Sequence, residues 1–190
     1  MIDHALTFLM DTINAYLKMR TDPGLGIGVE LGRLVNDTGG PGAEVGKLRM
    51  AVVNVEEERV MRDQLPEYRY IQDQHVKVEP PVKLNIVVMI AANSTRYEDA
   101  WRNLALVMTC LQAHPYFSVE EYPALNPDIE RLVVELQSLS FEQLNQLWAF
   151  VGGKQYPSIA YKIRLVALQD ITTSALQPPI TTITSNLHRA

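Results

Sequence analysis

Val82-Lys-Leu-Asn-Ile-Val-Val-Met-Ile-Ala-Ala92 decides the fold. Val82, Leu84, Ile86, Val88 and Ile90 alternate onto one face of a strand, because successive side chains of an extended chain point to opposite sides. The other face changes character along its length, from Lys83 and Asn85 to Val87, Met89 and Ala91. A strand with that pattern is central, with one face buried throughout and the other covered only at its far end. The next residues, Thr95-Arg-Tyr-Glu98, have the spacing of a capping box, in which a hydroxyl and a carboxylate satisfy each other's backbone donors at a helix start. Tyr97, Trp101, Leu104, Met108 and Leu111 form the apolar stripe expected for that helix, with both Trp101 and Trp148 assigned to the core, and Pro115 ends it.

Upstream, Ile2, Leu6, Leu9, Ile13, Tyr16 and Leu17 recur at three- and four-residue steps, predicting an amphipathic helix that ends near Arg20 before Asp22-Pro23-Gly24. Eight of the ten glycines lie between Gly24 and Gly46, so that stretch is loop-rich, with a short strand expected over Gly28–Val35. A second strand is expected over Leu48–Val55, running into Glu56, Glu57, Glu58 and Arg59. Residues 60–80 read as a long excursion with Tyr68, Tyr70 and Ile71 pinned to the body; loops of that length are commonly functional.

Downstream, Leu132, Val134 and Leu136 alternate against polar neighbours in another strand. Ser140-Phe-Glu-Gln143 is a second capping box, opening a short helix lined by Phe141, Leu144, Trp148 and Val151 and closed by Gly152. Ile159, Tyr161, Ile163 and Leu165 alternate with Lys162 and Arg164 in a last strand. The expected class is α+β: a mixed, mainly antiparallel sheet with two to three helices packed on it. Residues 1–168 form the core domain in this reading. Residues 169–190 form an extended C-terminal arm, with five β-branched residues at 180–184 behind the pair Pro178 and Pro179. Two readings of this segment stand side by side: a disordered tail, the default for a terminal stretch, and an arm suited to strand addition at a neighbour's sheet edge, since β-branched residues fit a pleated surface.

Composition narrows the function. With 17 Lys+Arg against 22 Asp+Glu the net charge is −5, the wrong sign for a chain that works by neutralising phosphates, so no nucleic acid is expected as partner. The longest apolar run, Ile86–Ala92, has seven residues, far short of the roughly 20 that span a bilayer. No membrane insertion is expected, and the acidic start at Asp3 reads as cytoplasmic rather than as a secretion signal. A single cysteine excludes an internal disulfide framework and an all-cysteine zinc site. A chain of 190 residues buries roughly 70% of its unfolded surface and folds without such staples.

Catalytic patterns fail on inspection. Pro41-Gly-Ala-Glu-Val-Gly-Lys-Leu48 lacks the first glycine and the magnesium-binding hydroxyl of a phosphate loop, and Lys47 enters a strand instead of a helix. Gly24, Gly26 and Gly28 follow a helix, not the strand that a dinucleotide fingerprint requires. His4, His75, His114 and His188 are scattered, so no metal site and no cofactor are expected. Cys110 and His114 fall on adjacent helical turns, away from the helix end that would acidify a thiol. Glu56 and Glu58 share a strand face but have no pocket chemistry around them.

Several stretches, taken in order, do carry a resemblance. The helix Ile2–Leu9, the strand Val52–Arg59, Leu84–Asn93 followed by Tyr97, Leu144–Trp148, and Tyr156–Arg164 after the glycine pair together resemble the tail-terminator, or cap, proteins of phage-tail-like contractile injection systems. The resemblance spans about residues 1–168 and is weakest over 24–46. It implies a non-enzymatic structural protein, a homo-hexameric ring on the proximal end of the inner tube. Such a ring stops tube and sheath polymerisation and attaches to the sheath, assembling in the cytoplasm as part of a particle that is released. The implied partners are further copies of the chain, an inner-tube protein and a sheath protein. Alternative roles are a baseplate or sheath adaptor of the same particle, or a small-ligand-binding regulatory domain. Each copy carries −5, so charged pairs in a ring must be placed to meet opposite charges on the neighbour. Glu57, Arg59, Lys162 and Arg164 are the candidate subunit or tube contacts; Ile171, Leu176, Pro178, Pro179, Ile180, Ile183 and Leu187 are the candidate sheath-binding residues of the arm.

Overall fold

The computed structural model describes residues 1–58, 67–71, 74–78, 82–168 and 176–177, with side chains for 1–58 and 83–165. Its elements are α1 (Ile2–Arg20), β1 (Val29–Leu31), β2 (Leu48–Glu57), β3 (Glu67–Ile71), β4 (Gln74–Val78) and β5 (Val82–Ala92). They continue with α2 (Tyr97–Ala113), β6 (Tyr116–Ser118), β7 (Arg131–Gln137), α3 (Phe141–Phe150), β8 (Ser158–Leu168) and β9 (Leu176–Gln177). Six strands form one sheet in the order β1-β2-β5-β8-β7-β6. Only β1 and β2 run parallel; the other neighbours are antiparallel, so the expected mixed α+β class holds.

The sheet has one mainly apolar face and one divided face, as the alternation in β5 requires. On the first, Ile86, Val88 and Ile90 pack with Met50, Ile163 and Leu165 beneath Leu9, Ile13 and Leu17 of α1 and Leu104, Val107 and Leu111 of α2. On the second, Met89 and Ala91 pack with Leu34, Val35 and Trp148, and Leu144, Leu147 and Val151 of α3 close over them. Ser140 caps α3 with the reciprocal Gln143 bonds of a capping box, and Gly152 takes the left-handed φ of 74° that ends the helix.

Four expectations are corrected. The strand expected over Gly28–Val35 is only Val29–Leu31: after Gly32 bonds Met50 O, the Asn36 side chain accepts from Thr38 N and Gly40 N in a turn, and Leu34 and Val35 serve the second core. Thr95 caps nothing, because α2 starts one residue later with Arg96 at the N-cap and Glu98 held by the Arg96 guanidinium at 2.8 Å. The buried stripe of α2 is Ala100, Leu104, Val107 and Leu111, rotated about one position from the expected one. Trp101 is therefore 42% exposed rather than in the core, and forms an edge-to-face pair with exposed Tyr97. Phe141, expected to line α3 inwards, is 93% exposed at its first turn.

Within the stretch expected as a long excursion, β3 and β4 pair as an antiparallel hairpin. The side chains of Tyr68, Tyr70 and Ile71 lie outside the described residues. Leu176 and Gln177 pair antiparallel with Val76 and His75 of the same chain, so strand addition by this part of the arm takes place on the chain's own hairpin.

Candidate interaction surface

The lower half of the divided face, below α3, is where two of the candidate contacts sit. Register carries Glu56 of β2 across to Asn85 of β5, Arg164 of β8 and Val133 of β7. Two residues along, Asn54, Val87, Lys162 and Glu135 make the next row of the same face. Asn54 Nδ2 donates to Glu56 Oε1 at 2.7 Å, Asn85 Nδ2 donates to Glu58 Oε2 at 2.9 Å, and the Arg164 guanidinium pairs with Glu135. Asn85 is only 5% exposed and its Oδ1 has no hydrogen-bond partner, nor does the buried Arg164 Nε. The Arg164–Glu135 pair is half exposed, a setting in which an ion pair contributes about 0–1 kcal/mol. Its effect is to fix the guanidinium in place.

Of the predicted contacts, Lys162 and Arg164 are brought together with Glu135, which the sequence reading had not singled out. Glu57 stands apart from them. The register shift between Val52 and Asn54 makes two residues of β2 oppose one of β5, and this moves Val55 and Glu57 onto the helix-covered face beside Ile86 and Leu84. Arg59, Ile171, Pro178, Pro179, Ile180, Ile183 and Leu187 lie outside the described residues, and only the backbone of Leu176 is described.

Sequence reasoning also missed how the β1 edge is protected. Asn14 of α1 mimics a strand neighbour: its Nδ2 donates to Val29 O at 2.9 Å and its Oδ1 accepts from Val29 N at 2.7 Å. Nearby, Lys47 Nζ bonds Glu30 Oε1 at 2.8 Å, which lowers the carboxyl's pKa and raises the amine's. The lysine of the phosphate-loop near-miss is thus engaged by a carboxylate.

Elsewhere the reactive residue types are occupied. His114 Nδ1 lies 2.9 Å from the Tyr122 hydroxyl, and the ring stacks on Phe117. Cys110 is fully buried, and burial pushes its thiol up to about 11. At neutral pH it is a protonated core group. A thiol reagent such as Ellman's is expected to leave it unmodified in the native protein and to titrate one thiol after denaturation; rapid native labelling would contradict this packing. Among the described residues no group of three His, Cys, Asp or Glu is placed to hold a metal ion, and no helix is long and apolar enough to cross a membrane.

The sheet order, the two helices on one face and the divided second face can now be set beside known proteins. Residues 4–182 match the family model of the Pvc16 N-terminal domain. The chain belongs to that family. No curated protein matches it. Among solved structures, the sheath/tube terminator of PVC, an extracellular contractile injection system, in its extended state has the same fold, with a TM-score of 0.60 at 12% identity over 95% of this chain. The tube-terminating cap of the anti-feeding prophage gives a TM-score of 0.61 at 10% identity over 93% of this chain. The chain spans 62% and 59% of the length of those two chains. The likeness to tail-terminator proteins drawn from the sequence is borne out by the family and the fold.

Proposed function

We propose that this chain is a structural cap of a contractile injection particle. Six copies close into a ring on the proximal end of the inner tube, stop the growth of tube and sheath, and attach to the sheath. The observation that carries the reading is the family membership over residues 4–182, joined to a fold shared with one chain described as a sheath/tube terminator and another as a tube-terminating cap. The role is non-enzymatic in this reading: the polar and charged side chains described on the divided face hold one another in strand register. Glu57, Arg59, Lys162 and Arg164 contribute to contacts within the ring or with the tube, and residues 169–190 form the arm that reaches the sheath. The ring ends the polymer by shape, binding a tube end on one side and offering no tube-like surface on the other.

Deleting the gene is expected to give particles of uncontrolled length in electron micrographs, and truncation after Asp170 to leave rings that no longer hold sheath. Normal-length, fully sheathed particles from the deletion strain would remove the capping role. Unfolding of the truncated chain would instead make the arm part of the core.

A further inference from the structure

Two sheet edges are bare at the same height. On one side β1 covers β2 only at Leu48–Met50, and the last bond to it is Gly32 N to Met50 O. On the other side β6 covers β7 only at Arg131–Val133, with one more bond from Val134 N to Pro115 O. Among the described residues no strand continues either edge, leaving Ala51–Glu56 and Glu135–Gln137 uncovered. Register through β5 and β8 sets Val52 level with Leu136, Asn54 with Glu135, and Val55 with Val134.

The exposed apolar side chains of these edges lie on one face. Val52, Val55 and Leu136 are 39%, 44% and 53% exposed, all on the side that α1 and α2 cover. Beside Leu136, a hollow of about 320 Å³ opens between α2 and β7, lined by Met108, Pro115, Val134 and Tyr161. Bare edges with apolar side chains are ready templates for another strand.

We infer that the β2 edge of one copy joins the β7 edge of the next, so that the sheet runs on from subunit to subunit. Each step from β2 through β5 and β8 to β7 reverses direction, so β2 and β7 run oppositely. Copies related by rotation about an axis along the strands therefore meet as an antiparallel pair, and the contact is heterologous, as ring closure requires. At level register Val52 and Leu136 exchange backbone bonds, and the neighbour's Val52 and Val55 fill the hollow beside Leu136. Val55 N exchanges its present bond, 2.9 Å to Asn54 Oδ1, for the Val134 carbonyl. β1 above and β6 below close off other registers, and the bulge at Val52–Asn54 gives the lower end of β2 the twist with which it diverges from the neighbour's β6.

The joint rests on the ring reading above and specifies its contact. In the full chain, a V52C/L136C variant under mild oxidation is expected to give a covalent ladder on non-reducing gels, since directly opposed Cα atoms about 5.5 Å apart are within disulfide reach. Each single cysteine variant is expected to give none, and buried Cys110 does not compete. Leu136→Lys and Val52→Lys, both at exposed positions, are each expected to sediment as monomers, while their 1:1 mixture stops at dimers through the one intact joint. Absence of a ladder, or unchanged assembly in either lysine variant, overturns the inference. A six-fold ring in micrographs without a ladder removes the joint and leaves the capping role; a ladder from protein that fails to stop tube growth does the reverse.

Discussion

Replacing Phe117 with alanine is expected to lower the unfolding free energy by about 3–5 kcal/mol, the range for truncating a fully buried aromatic side chain. Phe117 has no exposed surface and sits edge-to-face against Phe8 of α1 at 5.2 Å and Tyr122 at 5.0 Å, with His114 stacked on it at 6.1 Å. The ring thereby joins the first helix, the end of α2 and the connection after β6 at one point. β6 has only three residues, too few to hold the sheet edge by backbone bonds alone, so its attachment depends on this side chain. Removing the ring leaves a void walled by rigid aromatic neighbours, which collapse poorly, and that places the loss in the upper part of the range. Exposed Tyr116, one residue earlier, provides the contrast, since substitution there is expected to stay within about 0.5 kcal/mol. Denaturant titration measures both; a Phe117→Ala loss below about 1 kcal/mol would mean that α1 and the 119–130 connection close over the gap.

What the sequence made legible follows from which forces are local. β5 could be read in full because alternation reports burial residue by residue, and its change from Asn85 to Met89 and Ala91 marks where α3 lies. The capping box at Ser140 is likewise local, closed within four residues. The rotation of α2 was not legible: Tyr97 and Trp101 outweigh Ala100 in any apolar tally, yet the sheet admits the small residue at close approach and leaves the large ones at the rim. The surface was legible in residue type but not in pairing. Lys162 and Arg164 alternate outwards, but Glu135, the partner of Arg164, is 29 positions away and is brought there only by strand register. The face on which Glu57 lies was not legible, because one extra residue in β2 reverses the parity of everything beyond it, and a bulge leaves no mark in alternation that already mixes valine with asparagine. The Asn14 amide on Val29 joins residues 15 apart through a helix and a loop, and a polar residue inside an amphipathic helix gives no hint of that use.

Gly42→Ala is expected to be as damaging as the loss of Phe117, through crowding instead of a void. A Cβ at position 42 would lie 1.9 Å from Arg33 O and 2.9 Å from the Leu34 carbonyl carbon, both backbone atoms that no side-chain rotation can move aside. Gly42 N donates to Leu34 O at 2.8 Å, and Gly42 O accepts from the Arg49 guanidinium, so the same residue closes the 33–42 loop and anchors a cation. Arg49 also donates to Leu31 O at 3.2 Å, lies 3.3 Å from Glu30 Oε2, and has a buried Nε without a partner, so it depends on these acceptors. Forcing the two loop strands apart costs about 1–3 kcal/mol as overpacking. Losing a hydrogen bond to a charged donor adds about 1.5–3 kcal/mol. Leu34 and Val35 would also be drawn off Trp148, loosening the second core at its edge. Gly46→Ala separates space from backbone conformation: nothing lies within 4 Å of its Cβ position, but its φ of 90° disfavours any side chain, a cost of about 1–2 kcal/mol. Thermal unfolding should therefore rank Gly42→Ala well below Gly46→Ala, with hydrogen exchange accelerated at Leu34, Val35 and β1 in the former. The opposite ranking would show that the loop does not pack its backbone against itself at Gly42.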